Sequence, residues 1–152
     1  MPMRFEDGLG YLVHHLMYAF RQMLSEQCAK SGYAITSDEL AVLMITAQGQ
    51  GETGLKQTDI ADTLAKDKAV ITRLVSSLLK KKLVIRAADC HDRRAVRVCL
   101  SAEGSDAVAH LRPQLELLLR KIYRDIDQQE FDITRDVLTR ILNNVSSGSL
   151  SG

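Results

Sequence analysis

Leu9, Leu12, Val13, Leu16, Met17, Phe20, Met23 and Leu24 recur at three- and four-residue intervals, which predicts one long amphipathic helix from about Asp7 to Lys30. Cys28 continues the stripe and reads as a small core residue. Gly32 closes the helix where a left-handed turn costs least. Thr36 followed by Glu39 forms a capping box, opening a second helix with Leu40, Leu43 and Ala47. Gly49 to Gly54, GQGETG, is a loop by composition. Two short helical patterns follow. The first runs from about Lys56 to Ala65, with Leu55, Ile60, Ala61 and Leu64 apolar. The second runs from about Asp67 to Lys81. Its apolar pairs Val70/Ile71, Leu74/Val75 and Leu78/Leu79 lie four residues apart and make one wide stripe. Lys68, Ala69, Thr72, Arg73, Ser76, Ser77 and Lys80 occupy the opposite face. Two such helices joined by a short turn, the second with a small, polar, basic outer face, predict a helix-turn-helix.

The period then changes. Val96, Val98 and Leu100 alternate with Ala95, Arg97 and Cys99, which is strand spacing, and Val84 to Arg86 supply a preceding strand. The polar stretch AADCHDRR between them predicts a β-hairpin with basic residues near its tip, which is a wing. With that tip near His91 to Arg94, Cys99 is expected to face Arg86. Ser101 caps a fifth helix bearing Val108, Leu111, Leu115, Leu118, Leu119, Ile122 and Ile126, with a kink expected at Pro113. Asp127 and Glu130 form a second capping box before a last helix with Phe131, Val137, Leu138, Ile141, Leu142 and Val145. The tail SSGSLSG is expected to fray.

The fold class expected is mainly α with a small β-hairpin wing: a winged helix-turn-helix flanked by long dimerisation helices. One domain is expected over 1–152, with a DNA-binding region at 33–104 and helical dimerisation regions at 5–32 and 102–146. The outer helices carry more apolar surface than a small winged helix can cover, so they are expected to bury each other across a two-fold axis.

Charge sharpens this picture. The 152 residues hold 20 Lys and Arg against 19 Asp and Glu, a formal net charge of +1. From Thr53 to Ser101, however, the balance is +6, and the flanks together carry −5. A concentrated basic segment attracts a phosphate backbone. Hydrophobic residues make up 45%, so a disordered chain is excluded. No apolar run approaches the ~20 residues needed to span a bilayer, and MPMRFEDGLG has no secretory pattern. Cys28, Cys90 and Cys99 are too widely spaced for a disulfide framework or a zinc set, which points to the cytoplasm. No phosphate-cradling glycine loop, nucleophile elbow, paired-carboxylate or metal constellation is present. Neither an enzyme, a metal nor a cofactor is therefore expected.

Three stretches, LKQTDIADTL, VITRLVSSLLKKKLVIR and DCHDRRAVRVCLSAEG, resemble the winged-helix core of the MarR family of transcriptional regulators. The last is the most specific: an Asp-Arg-Arg wing, a valine–leucine strand, then leucine, hydroxyl, two residues and glycine. The resemblance covers Leu55 to Gly104 by motif, and nearly the whole chain by helix order. It implies a homodimer on palindromic operator DNA, usually a repressor, often released by a small molecule or by oxidation. Two positions depart from the pattern. Lys56 stands where members commonly have Thr or Ser, losing a side-chain cap. Lys82 stands where they commonly have Gly, which forces a strained turn or a different helix end.

The resemblance places Thr72 and Arg73 in the major groove, where arginine can pair with guanine O6 and N7 and a threonine methyl can touch thymine. Lys68, Ala69 and Ser76 share their face. Arg93 matches the family arginine that enters the minor groove, with Asp92 as its orienting partner. Arg94 reaches phosphate or folds onto an acidic neighbour. Lys56, Lys80 and Arg97 are phosphate candidates. Tyr11, His14, His15, Tyr18 and Arg21 form a candidate site for a small anionic aromatic effector, read against ordinary helix histidines, one partly buried and one exposed. Adjacent histidines point about 100° apart and do not share one metal. Cys90, beside His91, Arg93 and Arg94, offers a redox switch as an alternative reading. A winged-helix interaction module without DNA binding is a further one.

Overall fold

A computed structural model describes residues 4–49 and 54–147. Most of the GQGETG loop and the end of the SSGSLSG tail lie outside the described residues. The element order is a single 3-10 turn at Phe5–Asp7, α1 (Leu9–Lys30), α2 (Ser37–Gln48), β1 (Leu55–Lys56), α3 (Gln57–Leu64) and α4 (Lys68–Lys80). Then come β2 (Val84–Ala88), β3 (Val96–Leu100), α5 (Ala102–Ile122) and α6 (Gln128–Ser146). The single domain expected over 1–152 divides into two compact units, Met1–Leu115 and Glu116–Gly152.

Both capping boxes form. The Thr36 side chain accepts from the Glu39 amide while Glu39 accepts from the Thr36 amide, and Asp127 and Glu130 repeat the arrangement. Gly32 takes a φ of +89° after α1. There the Gly32 amide donates to Ala29 O and the Tyr33 amide to Cys28 O, tying off the last carbonyls. The same pair of bonds ends α4, from Lys82 to Leu79 O and from Leu83 to Leu78 O, and puts Lys82 at φ +61°. A side chain in that region costs about 1 kcal/mol. Lys82→Gly is therefore expected to stabilise the protein by about that amount, offset in part by a freer unfolded chain. A urea-denaturation midpoint unchanged or lowered would contradict this.

The core of the first unit is built from the predicted stripes. Ile71, Val75 and Leu78 of α4 are buried with Leu40, Val42 and Leu43 of α2, Ile60 and Ala61 of α3, Val84 and Val98 of the sheet, and Ala107, Val108 and Leu111 of α5. Cys28 joins them, and burial pushes its thiol pKa up, so the cysteine of α1 is inert packing. Helix α5 continues through Pro113.

The sheet is three-stranded and antiparallel in the order β1-β3-β2, one strand more than the hairpin expected. Lys56, expected to open the first helix of the motif without a side-chain cap, is the N-cap of α3 with no side-chain cap bond, and it also lies on β1 opposite Arg97. The hairpin register is one residue away from expectation. Cys99 faces Ile85, and Arg86 faces Val98. The cause is the turn, which closes on Asp89 and Ala95 with the Asp89 amide donating to Ala95 O.

At the start of α5, Ser101 Oγ accepts from the Gly104 amide at 2.9 Å and donates to Lys82 O at 2.6 Å. A Cβ on Gly104 would stand 1.8 Å from Leu83 O. Helix and strand approach closely there because that residue has no side chain.

Apolar residues remain exposed on α1 at Leu9, Leu12, Val13, Leu16 and Met17, and on α6 at Ile133, Leu138, Ile141, Leu142 and Val145. Among the described residues, no helix is long and apolar enough to cross a membrane.

Candidate nucleic-acid interface

Helix α4 buries one stripe, and that stripe fixes what the other face presents. Lys68, Ala69, Thr72, Arg73 and Lys80 are exposed, and Ser76 is half-buried. The hydroxyls do not point freely outward. Thr72 Oγ1 donates to Lys68 O and Ser76 Oγ to Thr72 O, each one turn back along the helix. Two side chains outside α4 dock on these hydroxyls. Gln57 Nε2 donates to Thr72 Oγ1 at 3.3 Å, and an Arg86 guanidinium nitrogen donates to Ser76 Oγ at 3.3 Å. Sequence reading missed both, because neither lies on the helix that they contact. Arg86 adds an exposed cation beside the outer face of α4.

Lys56, Gln57 and Thr58 at the start of α3, Lys68 and Thr72 of α4, and Arg94, Ala95 and Val96 of the wing line one cleft of about 250 Å³. Three of the predicted basic residues, from three separate elements, thus converge on one space. Such a cluster raises the local concentration of anions. The first amides of α3 add positive dipole ends, since Lys56 provides no side-chain cap. Arg93 is exposed on the turn beside Arg94, and Lys80 lies at the other end of α4.

The wing turn is organised by carboxylates. Asp89 Oδ1 accepts from the His91 amide at 2.8 Å and from the Asp92 amide at 3.0 Å, while its Oδ2 accepts from Arg97 Nε. The Asp89 side chain is 1% exposed. The His91 amide foremost, then the Arg97 guanidinium and the Asp92 amide, outweigh burial and hold its pKa down at about 2. Sequence reading passed over Asp89. Its one available signal was an Asp at the entry of a polar turn, the residue type that caps a turn two positions on.

Several expectations change here. Arg97 was expected at phosphate, but its guanidinium is engaged with Asp89 and with Gly54 O at 2.8 Å. Asp92 was expected to orient Arg93, but its Oδ1 accepts from the Arg94 amide at 2.9 Å. Arg21 was expected to hold an anionic effector, but it grips Asp38 through both carboxylate oxygens, at 2.9 and 3.2 Å, and Lys66 adds a third contact at 3.3 Å. Tyr18 accepts from Gln22. Tyr11 packs its ring on His15 with centroids 4.3 Å apart. His14 and His15 are both exposed, where one was expected partly buried. Cys90 is exposed on the turn and Cys99 half-buried, both as free thiols.

Residues 35–95, which carry the helix-turn-helix and the wing turn, match the model of the MarR family. That stretch is about two fifths of the chain. The fold is similar to that of solved structures. A S. aureus MepR–DNA complex superposes with a TM-score of 0.81 at 22% identity, covering 90% of this chain and 98% of that one. CouR from Rhodococcus jostii RHA1, bound to p-coumaroyl-CoA, gives 0.79 at 21% identity, with coverages of 91% and 94%. An uncharacterised HTH-type transcriptional regulator of Bacillus subtilis, YdgJ, is 25% identical over 93 residues, 61% of this chain and 57% of that relative's length.

Proposed function

We propose that this chain is a cytoplasmic, homodimeric, DNA-binding transcriptional regulator of the MarR family. It represses from a palindromic operator and is released by a small effector. One observation carries the DNA reading. Lys56, Lys68 and Arg94 converge on one cleft, beside a recognition face whose Arg73 pairs with no carboxylate among the described residues. The recognition set is Lys68, Ala69, Thr72, Arg73 and Ser76 for the major groove and Arg93 for the minor groove. Lys56, Lys80, Arg86 and Arg94 serve the backbone. Dimerisation is supported by the apolar residues that α1 and α6 each leave exposed, since monomers rarely present such contiguous patches. The effector class, an anionic aromatic compound, is supported by the CouR likeness. Arg21 is not assigned to it, being held by Asp38.

Selection of duplexes from a randomised pool, with sedimentation equilibrium on the same sample, tests this. The expected result is a dimer that enriches a palindrome with half-site centres roughly 34–36 Å apart and binds far more weakly as salt rises. A monomer that enriches nothing would overturn the reading.

A further inference from the structure

The basic cleft has two walls, and one half-buried side chain ties them together. The first wall is the approach to α3, where Lys56 and Gln57 sit; the second is the wing, with Arg94 to Val96. Arg97 lies on β3 directly opposite Lys56. Its Nη1 donates to Gly54 O, two residues before Lys56, and its Nε donates to Asp89 Oδ2. The other oxygen of Asp89 gathers the His91 and Asp92 amides, so the same carboxylate organises the turn that carries Arg93 and Arg94. Gly54 makes the first connection possible. At φ +70°, a Cβ there would lie 2.4 Å from Cys99 Sγ and 2.5 Å from Val98 O. The guanidinium is rigid and planar, with donors at fixed angles, which suits it to hold two acceptors at a set separation.

We propose that Arg97 and Asp89 are positioning residues for backbone phosphate. They form a strut that sets the distance between the two walls, so that Lys56 and Arg94 grip duplex DNA while Arg97 itself touches none. The inference rests on the DNA-binding reading above. It assigns the one basic residue of the wing strand that was expected at phosphate to a different task. It also gives a role to a buried acid within the basic region.

The strut makes a prediction opposite in sign to that of simple charge. Asp89→Asn keeps an oxygen for the turn amides but loses the charge that holds Arg97. Removing a negative charge near DNA should tighten binding if field alone matters. The strut requires weakening, by roughly ten-fold, the worth of about two phosphate contacts. Arg97→Lys retains the positive charge but not the two-pronged geometry, and should weaken binding as much as Arg97→Met. The measurement is fluorescence anisotropy over a salt series, on the duplex that the wild type enriches. The slope of log affinity against log salt should become shallower in every variant. Tighter binding by Asp89→Asn, or wild-type binding by Arg97→Lys, would overturn the proposal. The latter would mean that Arg97 contacts phosphate itself.

A second arm needs no DNA. Nitrogen-15 relaxation should show lower backbone order at residues 90–95 in Asp89→Asn and Arg97→Met, with α4 unchanged. Unaltered order at the wing overturns the strut. If α4 loosens as well, Arg97→Lys supplies the comparison on the same readout. A wild-type protein that enriches no duplex overturns the DNA reading itself, while the relaxation arm still decides the strut.

Discussion

Arg73→Ala will weaken binding to the selected duplex by about a thousandfold. An arginine reading guanine through both acceptors contributes about 2 kcal/mol of discrimination at each half-site, and a symmetric dimer presents two copies, so about 4 kcal/mol is at stake. The geometry favours a full loss. Arg73 is exposed on the outer face of α4, and no carboxylate among the described residues competes for it. Its neighbours leave room: Ala69 is small, and Thr72 and Ser76 turn their hydroxyls back onto the helix. The variant should also tolerate base changes at one operator position that the wild type rejects, because an alanine cannot read the base edge there and specificity relaxes. Lys80→Ala is the contrasting case. It should weaken binding by only a few-fold, uniformly across sequences, and lower the salt slope by about one for each phosphate left without its lysine. Anisotropy titrations on matched and mutated duplexes separate the two. If Arg73→Ala binds within about threefold of wild type, far from the cost of a base-reading arginine, α4 is not the reading element.

Lys81→Met will cost about 3 kcal/mol of folding stability, because it strands a buried carboxylate. Lys81 Nζ donates to both oxygens of Glu39, at 2.9 and 2.8 Å, and to Ala34 O at 2.7 Å. The Glu39 side chain is 4% exposed. Burial pushes the Glu39 pKa up, but hydrogen bonds from Lys81, Ser77 and the Thr36 amide outweigh it, and the net direction is down. A carboxyl with a lowered folded pKa contributes stability above its unfolded value of 4.5 and loses it as pH falls through the folded one. Glu39 also completes the capping box of α2, so the loss should spread to the first turn of that helix. Glu39→Gln together with Lys81→Met should recover part of the loss, since the stranded charge is gone. Urea denaturation of the two single variants and the double variant measures the coupling. A cost below about 1 kcal/mol for Lys81→Met would show that water reaches Glu39 and takes over the role of Lys81.

Local signals were legible in the sequence, and partnerships at long range were not. The paired apolar residues of α4 named the buried stripe, and through it the outer face, because helical periodicity is a local property. Both capping boxes need only four consecutive residues to be read. Strand β1 has only two residues, too few to show any period, and it forms only because Val98 and Arg97 lie beside it. The hairpin register escaped because the turn is set by where one carboxylate finds amides, and no alternation of apolar residues encodes that. Arg97 and Arg21 show the same limit for charge. A basic residue on a surface strand or helix reads as free until the fold brings up its acid, here eight residues away for Arg97 and seventeen for Arg21.

The leucine, hydroxyl and glycine at Leu100, Ser101 and Gly104 carry part of the sequence resemblance, and their geometry gives that pattern a physical meaning. Ser101 ties the new helix to Lys82 O, and Gly104 lies where a methyl group would overlap a backbone carbonyl. No flexible side chain can move aside to make room, so the position is closed to every other amino acid unless the backbone itself gives way. Substitutions at the reading face can change which DNA is bound and still leave a folded protein to be selected. A substitution at Gly104 acts before any such selection, on whether strand and helix can meet. On the DNA-binding reading, a variant of the outer face of α4 and a variant at Gly104 therefore fail differently: the first in what it selects, the second in whether the chain folds.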